Sequence, residues 1–156
     1  MIVNEYPQEE IQRILEEYGE EKFAKQIAKA IVRQREVEKI ETTFQLKEII
    51  EKVVKSSGNI HGATRSFQAL RIAVNDELGG LQKALPNALS VLSSGGRLVI
   101  ISFHSLEDRI VKNFFKDSEK EGIVKILTKK PVMAQIGEVS QNPRARSAKL
   151  RAIIKI

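Results

Sequence analysis

The sequence predicts an α/β chain in two parts, an all-helical lobe followed by a short stretch of strands and helices. Three observations carry this. Residues 1–58 hold only apolar stripes of helical period. Arg97–Phe103 (RLVIISF) is a nearly continuous apolar run rich in β-branched residues, the pattern of a strand buried on both faces in a parallel sheet. Charge divides at the same place: residues 1–60 carry 10 Lys/Arg against 12 Asp/Glu, whereas residues 61–156 carry 16 against 8. The expected domains are therefore 1–60 and 61–156.

The elements follow in order. Pro7 suits a first helical position, and Ile11, Ile14, Leu15 and Tyr18 make one face of a helix that Gly19 stops. A second helix starts near Glu20, with Phe23, Ala24, Ile27, Ala28 and Ile31 on its buried side. Thr42-Thr43-Phe44-Gln45 has capping-box spacing and opens a third, through Leu46, Ile49, Ile50 and Val53 to Ser56-Ser57-Gly58. A loop at 58–63 leads to a helix over 64–78, with Phe67, Leu70, Val74 and Leu78 as its stripe. Gly79-Gly80 interrupts before Leu81, Leu85, Leu89 and Leu92 mark another helix, which Pro86 could kink. After the strand at 97–103, Ser105-Leu106-Glu107-Asp108 reads as a helix start. Residues 122–128 form a strand, 129–146 a long polar loop, and 147–156 a last strand that pairs antiparallel with its predecessor. The strand at 97–103 has no visible parallel partner upstream, so the sheet looks incomplete.

Composition excludes several classes. The 156 residues contain no Cys, which removes disulfides, thiolate zinc sites and cysteine nucleophiles. His61 and His104 are the only histidines and lack metal-site spacing, so no structural metal is expected. No apolar run approaches the ~20 residues of a membrane span, and the start lacks a signal-peptide pattern. A cytoplasmic protein without membrane contact is expected. The net charge of +6 suits a nucleic acid or another anionic partner, or simply a soluble basic surface.

The densest polar cluster is Ser102-Phe103-His104-Ser105-Leu106-Glu107-Asp108, where strand passes to helix. Ligands of open α/β sheets bind at the carboxyl ends of strands. His104 and Ser105 are thus candidate contacts, or Ser105 only caps the helix beside a satisfied loop histidine. Ser102, His104 and Asp108 have the residue types of a hydrolase triad, but no nucleophile elbow is present. Arg65, Arg71, Asn75, Asp76 and Glu77 line a helix and its end. The two acids sit unfavourably for the helix dipole there, which leaves structural and functional uses open. Arg144 and Arg146, followed by Lys149 and Arg151, could grip phosphates from an extended loop or protect a sheet edge. No phosphate loop occurs.

Four blocks resemble one family. Residues 61–78 (HGATRSFQALRIAVNDEL), 95–109 (GGRLVIISFHSLEDR), 142–151 (NPRARSAKLR) and 18–24 (YGEEKFA) are similar to signatures of the MraW/RsmH methyltransferases. Gly62 stands where the family usually has Pro. The resemblance implies an S-adenosylmethionine-dependent methylation of a cytosine N4 in 16S ribosomal RNA, on a Rossmann-like class I methyltransferase sheet with an inserted helical substrate-recognition lobe. It implies that the chain is the family's carboxyl-terminal half. The first strands, the cofactor's glycine-rich loop and its ribose-holding acid would then lie in an absent amino-terminal half, which a separate chain could supply. On the matched motifs, His104, Ser105 and Asn75 would contact the target nucleotide as catalytic residues, and Arg65, Arg71, Arg144, Arg146 and Lys149 would hold RNA. A non-catalytic RNA-binding fragment and a nonfunctional remnant are the alternatives.

Overall fold

The computed structural model describes residues 2–54 and 62–156. The expected helix end at Ser56–Gly58 and His61 lie outside the described residues. The fold is mixed α/β, with helices and an antiparallel sheet. The chain divides into two compact units, Met1–Glu77 and Leu78–Ile156. The sequence reading drew its boundary at 60/61.

The first unit is helical: α1 (Ile2–Glu5), α2 (Gln8–Gly19), α3 (Ala24–Val37), α4 (Thr43–Val53) and α5 (Thr64–Asn75). Its core is aliphatic, with Ile11, Leu15, Ile27, Ile31 and Ile50 fully enclosed. Helix α2 ends as Gly19 suggests, but Glu20 is the residue that turns left-handed, at φ 47°. Gly19 serves packing instead. A Cβ there would meet the Arg65 carbonyl oxygen at 2.9 Å and the Ala69 Cβ at 3.2 Å, so its absence lets α2 lie close on α5. Helix α3 begins at Ala24, later than expected, and Phe23 is left outside the buried face.

The capping box at α4 is formed as its spacing predicts. The Thr42 hydroxyl accepts from the Gln45 amide, and the Gln45 side chain accepts from the Thr42 amide at 2.9 Å. Asn4 donates to the Ile40 carbonyl at 2.8 Å and accepts from the Ile40 amide at 3.1 Å, which satisfies both groups of a buried residue between α3 and α4.

The stripe expected on α5 holds at Leu70 and at Phe67, which packs against the core, and is corrected elsewhere. Ser66, Ala69, Leu70 and Ile72 are the buried residues, and Val74 is 70% exposed. The break after α5 also moves. Asp76 takes the left-handed cap, φ 47°, and Gly79-Gly80 lies inside the next helix, α6 (Glu77–Ser90). Glu77 thus opens a helix rather than closing one, where a negative charge is favourable.

The second unit holds α6, β1 (Arg97–Ser102), α7 (Ser105–Lys120), β2 (Val124–Ile126), β3 (Val132–Met133), α8 (Ile136–Gln141), a 3-10 helix (Pro143–Ser147) and β4 (Lys149–Lys155). Strand β4 is the spine of the sheet. It pairs antiparallel with β1 from Arg97↔Ile154 to Ser102↔Lys149, and with β2 and β3 also antiparallel. The β2–β4 pair agrees with the sequence reading; the stretch expected to be loop, 129–146, contains β3, α8 and the 3-10 helix.

The reading of β1 as parallel and buried on both faces is corrected. Its partner among the described residues is antiparallel, and its side chains alternate. Leu98 and Ile100 pack with Leu85, Leu89, Val111, Phe115 and Ile153, the core built from α6, α7 and the sheet. Val99 and Ile101 on the other face are 51% and 53% exposed. Helices cover one face of this sheet, and an antiparallel sheet tolerates that. Gly95, at φ 80°, lies in the turn before β1 and donates its amide to the Lys155 carbonyl at 2.8 Å. The Lys155 ammonium in turn caps α6, donating to the Leu89 and Leu92 carbonyls at 3.1 and 2.7 Å. That lysine closes a helix end.

Candidate functional site

The carboxyl end of β1 passes to α7 through Phe103 and His104. The cap of α7 falls on His104 rather than on Ser105. The ring Nδ1 accepts from the Glu107 amide at 3.4 Å, while the Glu107 carboxylate accepts from the Phe103 and His104 amides at 2.8 and 3.3 Å. This is a capping box with an imidazole in the usual hydroxyl position. With Nδ1 placed as the acceptor, Nε2 is the ring's remaining donor position. That Nε2 is buried and has no hydrogen-bond partner among the described residues; Glu107 Oε1 lies 3.5 Å away. Ser105 follows as the first helical residue and is exposed.

One turn on, Asp108 faces the sheet. Its carboxylate accepts from Arg151 Nε at 2.7 Å and Nη2 at 3.1 Å, a two-point pair with both residues buried. Lys149 Nζ stands 3.7 Å away. The Arg151 hydrogen bonds hold the Asp108 carboxyl below the usual carboxylate range against the opposing effect of burial, helped by the charges of Arg151, Lys149 and Lys112. Ser102, also buried, donates its hydroxyl to the Lys149 carbonyl at 3.3 Å. Ser102, His104 and Asp108 are thus each engaged separately, in a strand, a cap and an ion pair, and make no hydrolase triad.

In the first unit, Arg71 and Asn75 converge on Glu77. Arg71 donates from Nε and Nη2 at 2.8 and 3.0 Å, and Asn75 from Nδ2 at 3.2 Å. Arg71 also borders an open cleft of about 540 Å³ with Lys47, Ala63, Thr64, Phe67 and Gln68. Arg65 reaches the Glu20 carbonyl at 3.5 Å, over the left-handed end of α2.

Arg144 and Arg146 are exposed, in the 3-10 helix that Pro143 and an Asn142 side-chain cap set up. The extended loop expected there would align them; with three residues per turn, side chains two apart diverge by about 120°. Lys149 has a partial commitment, since it faces Asp108. The Asp108–Arg151 pair was absent from the sequence reading: its partners are 43 residues apart and no local spacing marks them. The His104–Glu107 box had a signal, the x-x-E spacing, with His in an unusual capping role.

The family model for the MraW methylase family matches residues 1–156. The chain belongs to the MraW methylase family. It is 52% identical over 154 residues to the ribosomal RNA small subunit methyltransferase H of Coprothermobacter proteolyticus, covering 99% of this chain and 52% of the relative. The protein of the same name from Kosmotoga olearia is 53% identical over 161 residues, with 99% and 52% covered. That of Heliobacterium modesticaldum is 49% identical over 173 residues, with 99% and 55% covered. The chain spans about half the length of the curated relatives it matches.

A methylase of this family implies a methyl donor, S-adenosylmethionine. The groups at the β1 end do not fit it. Neither carboxylate at the carboxyl end of β1 is free to take a ribose: Glu107 is engaged in the cap and Asp108 with Arg151. The glycine pair at 95–96 lies at the opposite, amino end of β1, where it is tied to the end of β4. Among the described residues no cluster of His, Asp and Glu could hold a metal ion, and no helix is long and apolar enough to cross a membrane.

Proposed function

We propose that this chain is the substrate-side part of a cytoplasmic, S-adenosylmethionine-dependent methyltransferase acting on a cytosine N4 of 16S ribosomal RNA, with the cofactor held by residues outside these 156. The family match over the whole chain carries this reading. The committed carboxylates at the β1 end support the second half of it.

The target base would leave its stack to reach the site. His104 and Ser105, at the carboxyl end of β1, and Asn75 are the residues assigned to the nucleotide. His104 brings an Nε2–H donor that lacks an acceptor among the described residues. Arg65, Arg71, Arg144, Arg146 and Lys149 are assigned to phosphates. Val99 and Ile101 leave the outer face of the sheet free for elements packed on it, in line with an amino-terminal half that joins at β1.

Calorimetry of the 156-residue chain with S-adenosylmethionine tests the division of labour. No saturable heat is expected. Specific binding by this chain alone would refute it. Arg144→Ala with Arg146→Ala should weaken binding to 16S ribosomal RNA and lower its salt slope by roughly one to two units; unchanged binding would assign these arginines to the sheet edge.

A further inference from the structure

Helices α3 and α4 enclose a second groove, of about 550 Å³, on the unit whose overall charge is near neutral. Its floor is Ala30, Ile49 and Val53, and its rim carries Lys29, Arg33 and Lys52. Among the described residues no carboxylate lines it. Among the described residues none of the three cations has an ion pair or hydrogen bond, whereas Arg13 and Lys47 of the same unit are each paired with neighbouring glutamates. Lys29 and Arg33 stand one turn apart on α3, and Lys52 faces them from α4, so the charges are set on packed helices rather than on a loop. Gln26 and Gln34 add neutral polar groups along α3. Beyond Gln34 and Lys52 the surface changes sign, with Glu38 and Glu48 beside Lys39. The cationic stretch is therefore bounded.

We propose that this groove binds the phosphate backbone of the RNA substrate, as a contact of the helical unit in addition to the motif arginines. The proposal rests on the reading of the family substrate as ribosomal RNA. Three cations with no ion pair among the described residues, set around an aliphatic floor, complement a polyanion.

The test is a salt titration of the intact chain with a 16S ribosomal RNA transcript, wild type against K29Q/R33Q/K52Q, with circular dichroism to verify the fold. Three lost contacts at ~0.7 each should lower the slope of log K against log salt by about two units, and weaken binding at least tenfold near 0.1 M salt. A charge-matched variant on the other unit, K116Q/K120Q/K125Q, should change the slope by less than one. RNA should also protect Lys29 and Lys52 from acetylation. Unchanged binding by the groove variant, while R144A/R146A weakens it, would overturn the groove and leave the RNA reading intact. Equal losses in both triple variants would reduce the effect to bulk charge and overturn it too. Undiminished acetylation in the RNA complex would overturn it in favour of an acidic protein surface. Failure of the wild-type chain to bind RNA at all would remove the substrate reading and the groove with it.

Discussion

At the scale of single residues, the turn from β1 to α7 holds two differently built groups. His104 is both a cap and a candidate substrate contact, and chemistry separates the two. Asn caps helices as well as Ser or Asp but has no ring Nε2. His104→Asn should keep stability within about 0.5 kcal/mol, and His104→Ala should cost about 1 kcal/mol in urea unfolding. If His104 serves only the cap, a full-length enzyme carrying His104→Asn keeps its methylation rate; the substrate role predicts a loss of tenfold or more. Asp108 is a structural anchor. Asp108→Asn strands a buried guanidinium and should cost about 3 kcal/mol, while D108L/R151M should recover most of it. The Asp108 pKa is lower folded than unfolded, so its stabilisation is complete above the unfolded carboxylate range and lost as pH falls through the folded value. Urea midpoints from pH 7 down to pH 3 should therefore fall less steeply for Asp108→Asn than for wild type. The cluster of Ser102 to Asp108 was legible in sequence because strand-to-helix handover is local. The employment of Asp108 was not, since its partner arrives from β4.

At the scale of elements, sequence signals succeeded where both partners are close in the chain. Thr42 and Gln45 are three residues apart, and their box is present. Thr42→Ala should lower stability by about 1 kcal/mol. Helix ends governed by tertiary packing were less legible. Gly19 reads as a stop, but it is kept small by the backbone of α5. Gly19→Ala places a methyl 2.9 Å from a carbonyl oxygen that cannot swing away, and should cost about 1–3 kcal/mol despite alanine's better helix propensity. A neutral or stabilising result would show that α2 and α5 separate freely. The Gly79-Gly80 pair misled for the opposite reason. Two glycines cost a helix about 1 kcal/mol each, and the leucine face of α6 offsets that once Asp76 has made the turn.

At the scale of the whole molecule, the sequence showed a strand without a partner, and the fold gives that observation a shape. Strand β1 has β4 on one edge and an apolar face at Val99 and Ile101 that remains open. Periodicity marked the run as apolar; it could not say which neighbour would cover it. The isolated chain should self-associate through this face, and V99T/I101T should reduce that association in sedimentation velocity at matched concentration. The direct test of the central claim is methyl transfer by a chimera. These 156 residues replace the matching stretch of the Coprothermobacter proteolyticus relative, and radiolabelled S-adenosylmethionine is offered with small ribosomal subunits. The account predicts label on a 16S ribosomal RNA cytosine N4 with the chimera and none with the 156-residue chain alone. Label from the chain alone, or none from a folded chimera that binds the cofactor, would contradict it.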